Sequence, residues 1–207
     1  MRTLLFTESY LLSTIIIIIL VLCILYNYKI LTYGCLLLLL LLMYFYRFPN
    51  RIIKNKDNMN ILSPSDGKIV KIIKERDYYK IIVFLSIFDV HIQWYPINGI
   101  ITHSEYKTGK FNLAYILEKS DYNEKYITEI KNSNGKIRVV QIAGMVARRI
   151  VNNSKINKKV KQGDYMGMIK LSSRIDIYLP VNNVKLLVKK GDKIYGNHTK
   201  IGEWINK

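Results

Sequence analysis

Hydrophobic and polar positions follow two regimes along the chain. Residues 10–26 (YLLSTIIIIILVLCILY) and 30–46 (ILTYGCLLLLLLLMYFY) are runs without a charged side chain, separated by Asn27, Tyr28 and Lys29. At about 1.5 Å of rise per residue, a helix over either run approaches the roughly 30 Å hydrocarbon core of a bilayer. The pattern predicts a tight transmembrane helical hairpin that crosses and returns, leaving both of its ends on one side. Arg2, Arg47, Arg51, Lys54 and Lys56 flank those ends, and the connecting loop holds Lys29. Basic residues favour the cytoplasmic face, so the expected location is the inner cell membrane with the body of the protein in the cytoplasm. Glu8 and the lack of a small-x-small site before the second run argue against a cleaved signal peptide.

Beyond residue 46 the pattern changes. Residues 47–60 (RFPNRIIKNKDNMN) are polar, contain Pro49 and read as a linker. From Ile61 onward, short β-branched runs alternate with Gly, Asn and Asp, which predicts strands over 68–74, 80–86, 136–143, 166–171, 174–179 and 184–188. Residues 111–119 are the one segment expected to form a short helix. Val160-Lys161-Gln162-Gly163-Asp164 is echoed by Val188-Lys189-Lys190-Gly191-Asp192, each expected to be a strand end followed by a hairpin turn. The echo resembles the flattened sandwiches that carry biotin or lipoate, without their Met-Lys-Met or Asp-Lys-Ala carrier site. The expected organisation is therefore mainly β (α+β): a transmembrane hairpin (1–46), a linker (47–60) and a β-rich, sandwich-like domain with barrel-sandwich character (61–207).

Charge changes this picture little. The chain has 32 Lys and Arg against 15 Asp and Glu, a net charge of +17. The lysines are spread through an Ile- and Asn-rich background, with no zinc-finger spacing, RNA-recognition signature or arginine-rich tract. A nucleic-acid partner is not expected; an anionic membrane surface suits the surplus better, at about 1 kcal/mol for each well-placed basic residue. Cys23 and Cys35 lie in the apolar runs and build no disulfide framework. His91, His103 and His198 are too scattered for a zinc pattern, so no metal is expected.

Five segments carry candidate chemistry: Phe45-Tyr46-Arg47-Phe48-Pro49-Asn50-Arg51, Ser63-Pro64-Ser65-Asp66-Gly67-Lys68, Phe84-Leu85-Ser86-Ile87-Phe88-Asp89-Val90-His91, Gln141-Ile142-Ala143-Gly144-Met145-Val146-Ala147-Arg148-Arg149-Ile150-Val151, and Leu171-Ser172-Ser173-Arg174-Ile175-Asp176-Ile177-Tyr178-Leu179-Pro180. In order and spacing they resemble the short, pyruvoyl-dependent form of the phosphatidylserine decarboxylase family. Its corresponding motifs read Phe-Phe-Arg-Asp-Pro-x-Arg, Ser-Pro-Ala-Asp-Gly-Lys, Phe-Leu-Ser-Pro-Phe-Asp-Val-His, Gln-Ile-Ala-Gly-x-Val-Ala-Arg-Arg-Ile-Val and Phe-Gly-Ser-Arg-Val-Asp-Leu-Tyr-Leu-Pro.

The resemblance implies a self-processing enzyme that converts phosphatidylserine to phosphatidylethanolamine in phospholipid biosynthesis. The hydroxyl of Ser173 would attack the carbonyl of Ser172, and β-elimination would then cut the chain into fragments 1–172 and 173–207. A pyruvoyl group derived from Ser173 would head the small fragment and act as the electron sink for loss of CO₂. A serine nucleophile needs a base; His91, oriented by Asp66, stands in the matching motifs. Arg148 and Arg149 are candidates for a substrate phosphate, although adjacent extended positions face opposite ways and at most one would reach it. The implied partners are phosphatidylserine in the bilayer and the two fragments of one chain, with a homo-oligomer as a candidate assembly.

Two positions depart from the family. Ser172 replaces the glycine before the nucleophile, where a Cβ restricts the backbone. Trp94 replaces a second histidine that longer members carry three residues after His91, which leaves His103 as a candidate helper in maturation. The alternative to the enzyme is a family member that never cleaves and acts as a membrane-anchored scaffold.

Overall fold

A computed structural model describes residues 9–53, 57–145, 150–170 and 173–205. Ser172, Arg148 and Arg149, and the flanking Arg2, Glu8, Lys54 and Lys56, lie outside the described residues. The chain divides into two compact units between Asn50 and Arg51.

The first unit is a helical hairpin, α1 (Tyr10–Leu25) and α2 (Lys29–Phe45). Asn27 turns the chain with a φ of 58°, a left-handed conformation that Asn tolerates better than most residues. The amide of Tyr28 donates to the Cys23 carbonyl at 2.8 Å and closes the end of α1. Two helices form, as the apolar runs predict, but the expectation that they cross a membrane is not met: among the described residues no helix is long and apolar enough to do so. The helices hold 16 and 17 residues, no more than the 17 of each apolar run. At about 1.5 Å per residue neither reaches the roughly 30 Å of a hydrocarbon core.

The second unit is mainly β, with strands β1 (Asn60–Leu62), β2 (Gly67–Lys74), β3 (Tyr78–Leu85), β4 (Ile92–Trp94) and β5 (Gly99–Lys107), and a single helical turn α3 (Leu117–Ser120). There follow β6 (Lys125–Lys131), β7 (Lys136–Ala143), β8 (Ile150–Asn152), β9 (Lys159–Val160), β10 (Tyr165–Ile169), β11 (Ser173–Pro180), β12 (Val184–Leu186), β13 (Lys193–Ile194) and β14 (Lys200–Trp204). An eight-stranded sheet runs β13-β2-β3-β11-β7-β6-β5-β9, and two three-stranded sheets run β1-β14-β12 and β4-β10-β8. All paired strands are antiparallel.

One core draws on all three sheets: Ile69, Val83, Ile137, Val139, Ile175 and Ile177 from the large one, Ile61, Val184 and Ile201 from the second, and Met166 and Ile169 from the third. Strand β11 lies in the middle of the large sheet and is buried along most of its length. Its odd positions Ser173, Ile175, Ile177 and Leu179 therefore share one face and its even positions Arg174, Asp176 and Tyr178 the other.

Two expectations about local structure are corrected. Residues 111–119 form no helix apart from the turn at Leu117–Ser120, because asparagine side chains compete for the backbone groups a helix would use. The Asn112 amide donates to Asn123 Oδ1 at 2.8 Å, and Asn123 Nδ2 donates back to the Asn112 carbonyl at 2.8 Å. The two Gly-Asp echoes adopt one turn, with positive φ at Gly163 and Gly191 and the aspartate capping the amide three residues earlier, Lys161 and Lys189 respectively. Neither turn closes a hairpin: β9 pairs with β5, β10 with β4 and β8, and β13 with β2.

Candidate active site

The antiparallel register gathers three chemically distinct positions at one end of the large sheet. Ser173 opens β11, held between Leu85 at the end of β3 and Ala143 at the end of β7. His91 lies on the connection that leaves β3, and Asp66 immediately precedes β2, whose Lys68 pairs with Phe84 of β3. Gly67 makes this close approach possible: a Cβ there would stand 2.6 Å from the Phe84 carbonyl oxygen and 2.6 Å from Val83 Cγ1. The neighbouring strands fix this arrangement before any side chain is considered.

Ser173 is buried, and its Oγ has no hydrogen-bond partner among the described residues. An unsatisfied buried hydroxyl costs about 1–3 kcal/mol. The main chain beyond it is clamped by pairing on both sides.

His91 is buried, and its Nδ1 lies 2.9 Å from the Asp89 carbonyl oxygen. A carbonyl only accepts, so Nδ1 carries the proton, which leaves Nε2 as the ring nitrogen that can exchange one. The backbone around the ring is also tied down. Asp89 accepts from the Ser86 amide at 2.8 Å and the Ser86 hydroxyl at 2.9 Å, and it pairs with Lys193. Burial pushes the Asp89 carboxyl up, but the hydrogen bonds from Lys193 and Ser86 outweigh it and hold the group below the usual aspartate range. The carbonyl of His91 accepts from Gln93 Nε2 at 2.6 Å and from the Ile169 amide at 3.3 Å. A buried amide chain continues from Gln93 Oε1 to Gln141 Nε2 at 2.8 Å, and from Gln141 Oε1 to Asn152 Nδ2 at 2.6 Å.

Asp66 does not orient His91 through a hydrogen bond. Its carboxylate is taken by Arg51, which donates Nη2 to Oδ2 at 2.7 Å and Nη1 to Oδ1, and by the Gly196 amide at 2.8 Å. Arg51 also donates to the Gly196 carbonyl at 2.8 Å and lies over the Trp94 ring, 4.9 Å from its centroid. Sequence reasoning placed Arg51 among the membrane-flanking cations and treated Trp94 as a missing histidine. The structure makes them the pair and the ring against which Asp66 is set. Nothing local in the sequence signals the contact with Gly196.

His103 stands apart. It lies on β5, the third strand from β11, about 14 Å away at ordinary strand spacing, and bonds Glu105 Oε2 at 3.1 Å. It does not replace the second histidine at this site. Sequence reasoning also passed over Arg174, which is 1% exposed on the opposite face of β11. Its guanidinium donates to both Asp176 oxygens at 2.7 Å, to the Leu117 carbonyl at 3.0 Å and to Ser120 Oγ at 2.8 Å, and pairs with Asp121 at 2.9 Å. It thereby fastens the first full residue beyond Ser173 to the α3 turn.

Residues 38–203 match the family model described as phosphatidylserine decarboxylase. A phosphatidylserine decarboxylase proenzyme of Carboxydothermus hydrogenoformans is 40% identical over 167 residues, covering 77% of this chain and 78% of the relative. The proenzyme of the same name from Wolbachia sp. subsp. Brugia malayi is 37% identical over 185 residues, covering 84% and 79%. That from Amoebophilus asiaticus is 41% identical over 165 residues, covering 73% of each chain.

Proposed function

The chain belongs to the phosphatidylserine decarboxylase family, and from that premise we infer that it decarboxylates phosphatidylserine to phosphatidylethanolamine with a pyruvoyl group made from its own Ser173. The observation that carries the assignment of Ser173 is its buried Oγ, without a hydrogen-bond partner among the described residues, at the head of the central strand and inside the segment matched by the family.

In maturation, Ser173 Oγ adds to the carbonyl of Ser172, the peptide nitrogen leaves, and an ester forms in place of the amide. Loss of the Ser173 α-proton and elimination of the Ser172 carboxylate then part the chain between 172 and 173. Hydrolysis of the resulting dehydroalanine releases ammonia and leaves the keto acid at the head of fragment 173–207. His91 is the base for this work: its Nδ1–H is committed to the Asp89 carbonyl, so Nε2 is the atom that takes and returns protons. Asp66 acts by holding Arg51 and the Gly196 backbone at this end of the sheet. Once formed, the group supplies the electron sink for carboxylate loss. Of Arg148 and Arg149, which follow the β7 motif, one is assigned to the substrate phosphate on its matching position alone.

The layering of the large sheet against the two small ones supports a sandwich-like reading of the domain. Localisation at the cytoplasmic face of the inner membrane is part of the same proposal. Support comes from the hairpin, which leaves Leu11, Ile18, Ile24, Leu37 and Leu40 exposed, an apolar surface too extensive for a water-facing element. Arg47, lying over the Tyr44 ring at 3.9 Å, gives α2 the aromatic and basic end suited to the headgroup region. Because neither helix has crossing length, we assign insertion of the hairpin from one face.

The direct test follows the lipid product. The intact protein in phosphatidylserine vesicles should release CO₂ and phosphatidylethanolamine, and Ser173→Ala should abolish both. An active Ser173→Ala protein would remove Ser173 from the chemistry.

A further inference from the structure

The end of the large sheet that holds Ser173 also exposes apolar side chains on both sides of it. Beyond Leu85 of β3 come Ile87 and Phe88, 52% and 66% exposed, and beyond Ala143 of β7 comes Met145, 49% exposed. These strands are the two that flank β11, so the chain leaving each projects past the Ser173 end of the sheet. Ile87 and Phe88 are not left out by a loose loop. The turn that presents them is pinned from below by Asp89 on the Ser86 amide and hydroxyl.

The same end carries positive charge. Lys68, at the start of β2, pairs in register with Phe84 on one side and Lys193 on the other, and both lysines are exposed. Lys190 is exposed in the turn whose Gly191 amide donates to the Ile69 carbonyl, beside Lys68. Lys193 reaches Asp89 at the foot of the Ile87–Phe88 turn, joining the basic edge to the apolar tip. Apolar side chains at a tip with lysines behind them are the arrangement of an interfacial membrane contact, in which rings and aliphatic chains enter the headgroup–acyl boundary and cations meet anionic lipid.

We propose that the Ile87–Phe88 turn, with Met145 and the Lys68 and Lys190 edge, is a membrane-docking surface of the β unit for anionic bilayers that sets the Ser173 end of the sheet at headgroup depth. The proposal rests on the decarboxylase reading for its purpose, since a serine headgroup is reached at that depth, but the docking itself is measurable without turnover.

The test uses the full chain reconstituted in vesicles of phosphatidylcholine and phosphatidylglycerol. A Phe88→Trp reporter, read against the parent whose Trp94 and Trp204 are buried, should be quenched by lipids brominated near the headgroup end of the acyl chain and protected from aqueous iodide. Adding Lys68→Glu and Lys190→Glu should weaken the quenching in anionic vesicles and leave it unchanged in neutral ones. Ready quenching by iodide with none by bromolipid would overturn the docking surface, whatever the enzyme does. The Ile87→Asp/Phe88→Asp protein should still cut itself into two fragments and keep its turnover of dispersed short-chain phosphatidylserine. Its turnover of vesicle substrate should fall by at least about fivefold, the scale of losing one or two buried methylene groups from the interface. An equal loss on both substrates would place the two residues in folding or catalysis and defeat the proposal. Absence of cleavage and turnover in the parent would sink the decarboxylase reading and leave the quenching result to decide docking alone.

Discussion

At Asp89 two opposing influences act on one carboxyl. Burial favours the neutral form, while hydrogen bonds from Lys193 and Ser86 favour the charged one and prevail, so the folded group titrates below the unfolded value near 3.8. A depressed folded pKa gives stability that is complete above the unfolded value and is lost as pH falls through the folded one. Protonation of Asp89 would therefore release the Ser86–Asp89 turn that supports His91. Replacing Asp89 with Asn should cost on the order of 1 kcal/mol at neutral pH and flatten the fall in melting temperature below about pH 4. Identical acid profiles for the parent and Asp89→Asn proteins would show that another carboxylate controls this edge. The residue scale is also where sequence reading reached least. Ser173, His91 and Asp66 could be named from their motifs, but the Arg51–Asp66 pair joins residues 15 apart and closes through Gly196, 130 residues from Asp66. Such a contact exists only once β2 and β13 are side by side.

Strand β11 ties the site to the rest of the sheet through both of its faces. The buried Arg174 pairs with Asp176, which Lys80 also approaches at 3.4 Å, while the other face packs Ile175 and Ile177 into the core. Removing one partner of a buried ion pair costs about 3–5 kcal/mol, whereas replacing both by apolar groups is often near neutral. Arg174→Met should thus lower the melting temperature by at least about 6 °C, and Arg174→Met/Asp176→Leu should recover much of the loss. A single substitution without effect would mean that the α3 turn is not held through β11. Among the elements, β2, β3, β7 and β11 were legible because their apolar faces are continuous. β5 (GIITHSEYK) and β6 (KYITEIK) were not, because they pair through polar partners such as His103 with Glu129 and Tyr106 with Tyr126. Their strand character comes from neighbours rather than from an apolar stripe.

For the molecule as a whole, two units divide the work: a helical hairpin with exposed apolar sides, and a β unit with its own core. The chain divides between Asn50 and Arg51, four residues beyond the change of composition after residue 46. The crossing expectation fails on length, because runs of this size give helices of 16 and 17 residues, short of a hydrocarbon core. If the hairpin is inserted in lipid, the full chain should remain with membranes through washes in high salt and alkaline carbonate. Release by salt alone would reduce the attachment to surface charge.

The proposed self-cleavage at Ser173 is the step on which the enzymatic reading stands, and Ser172 is the departure that puts it to the test. Denaturing intact-mass analysis of the membrane-extracted protein decides it. Two masses that divide the chain between 172 and 173, the smaller carrying a borohydride-reducible keto group in place of an amine, are the expected result. A single full-length mass would contradict it and leave a family member that keeps the fold without making its cofactor.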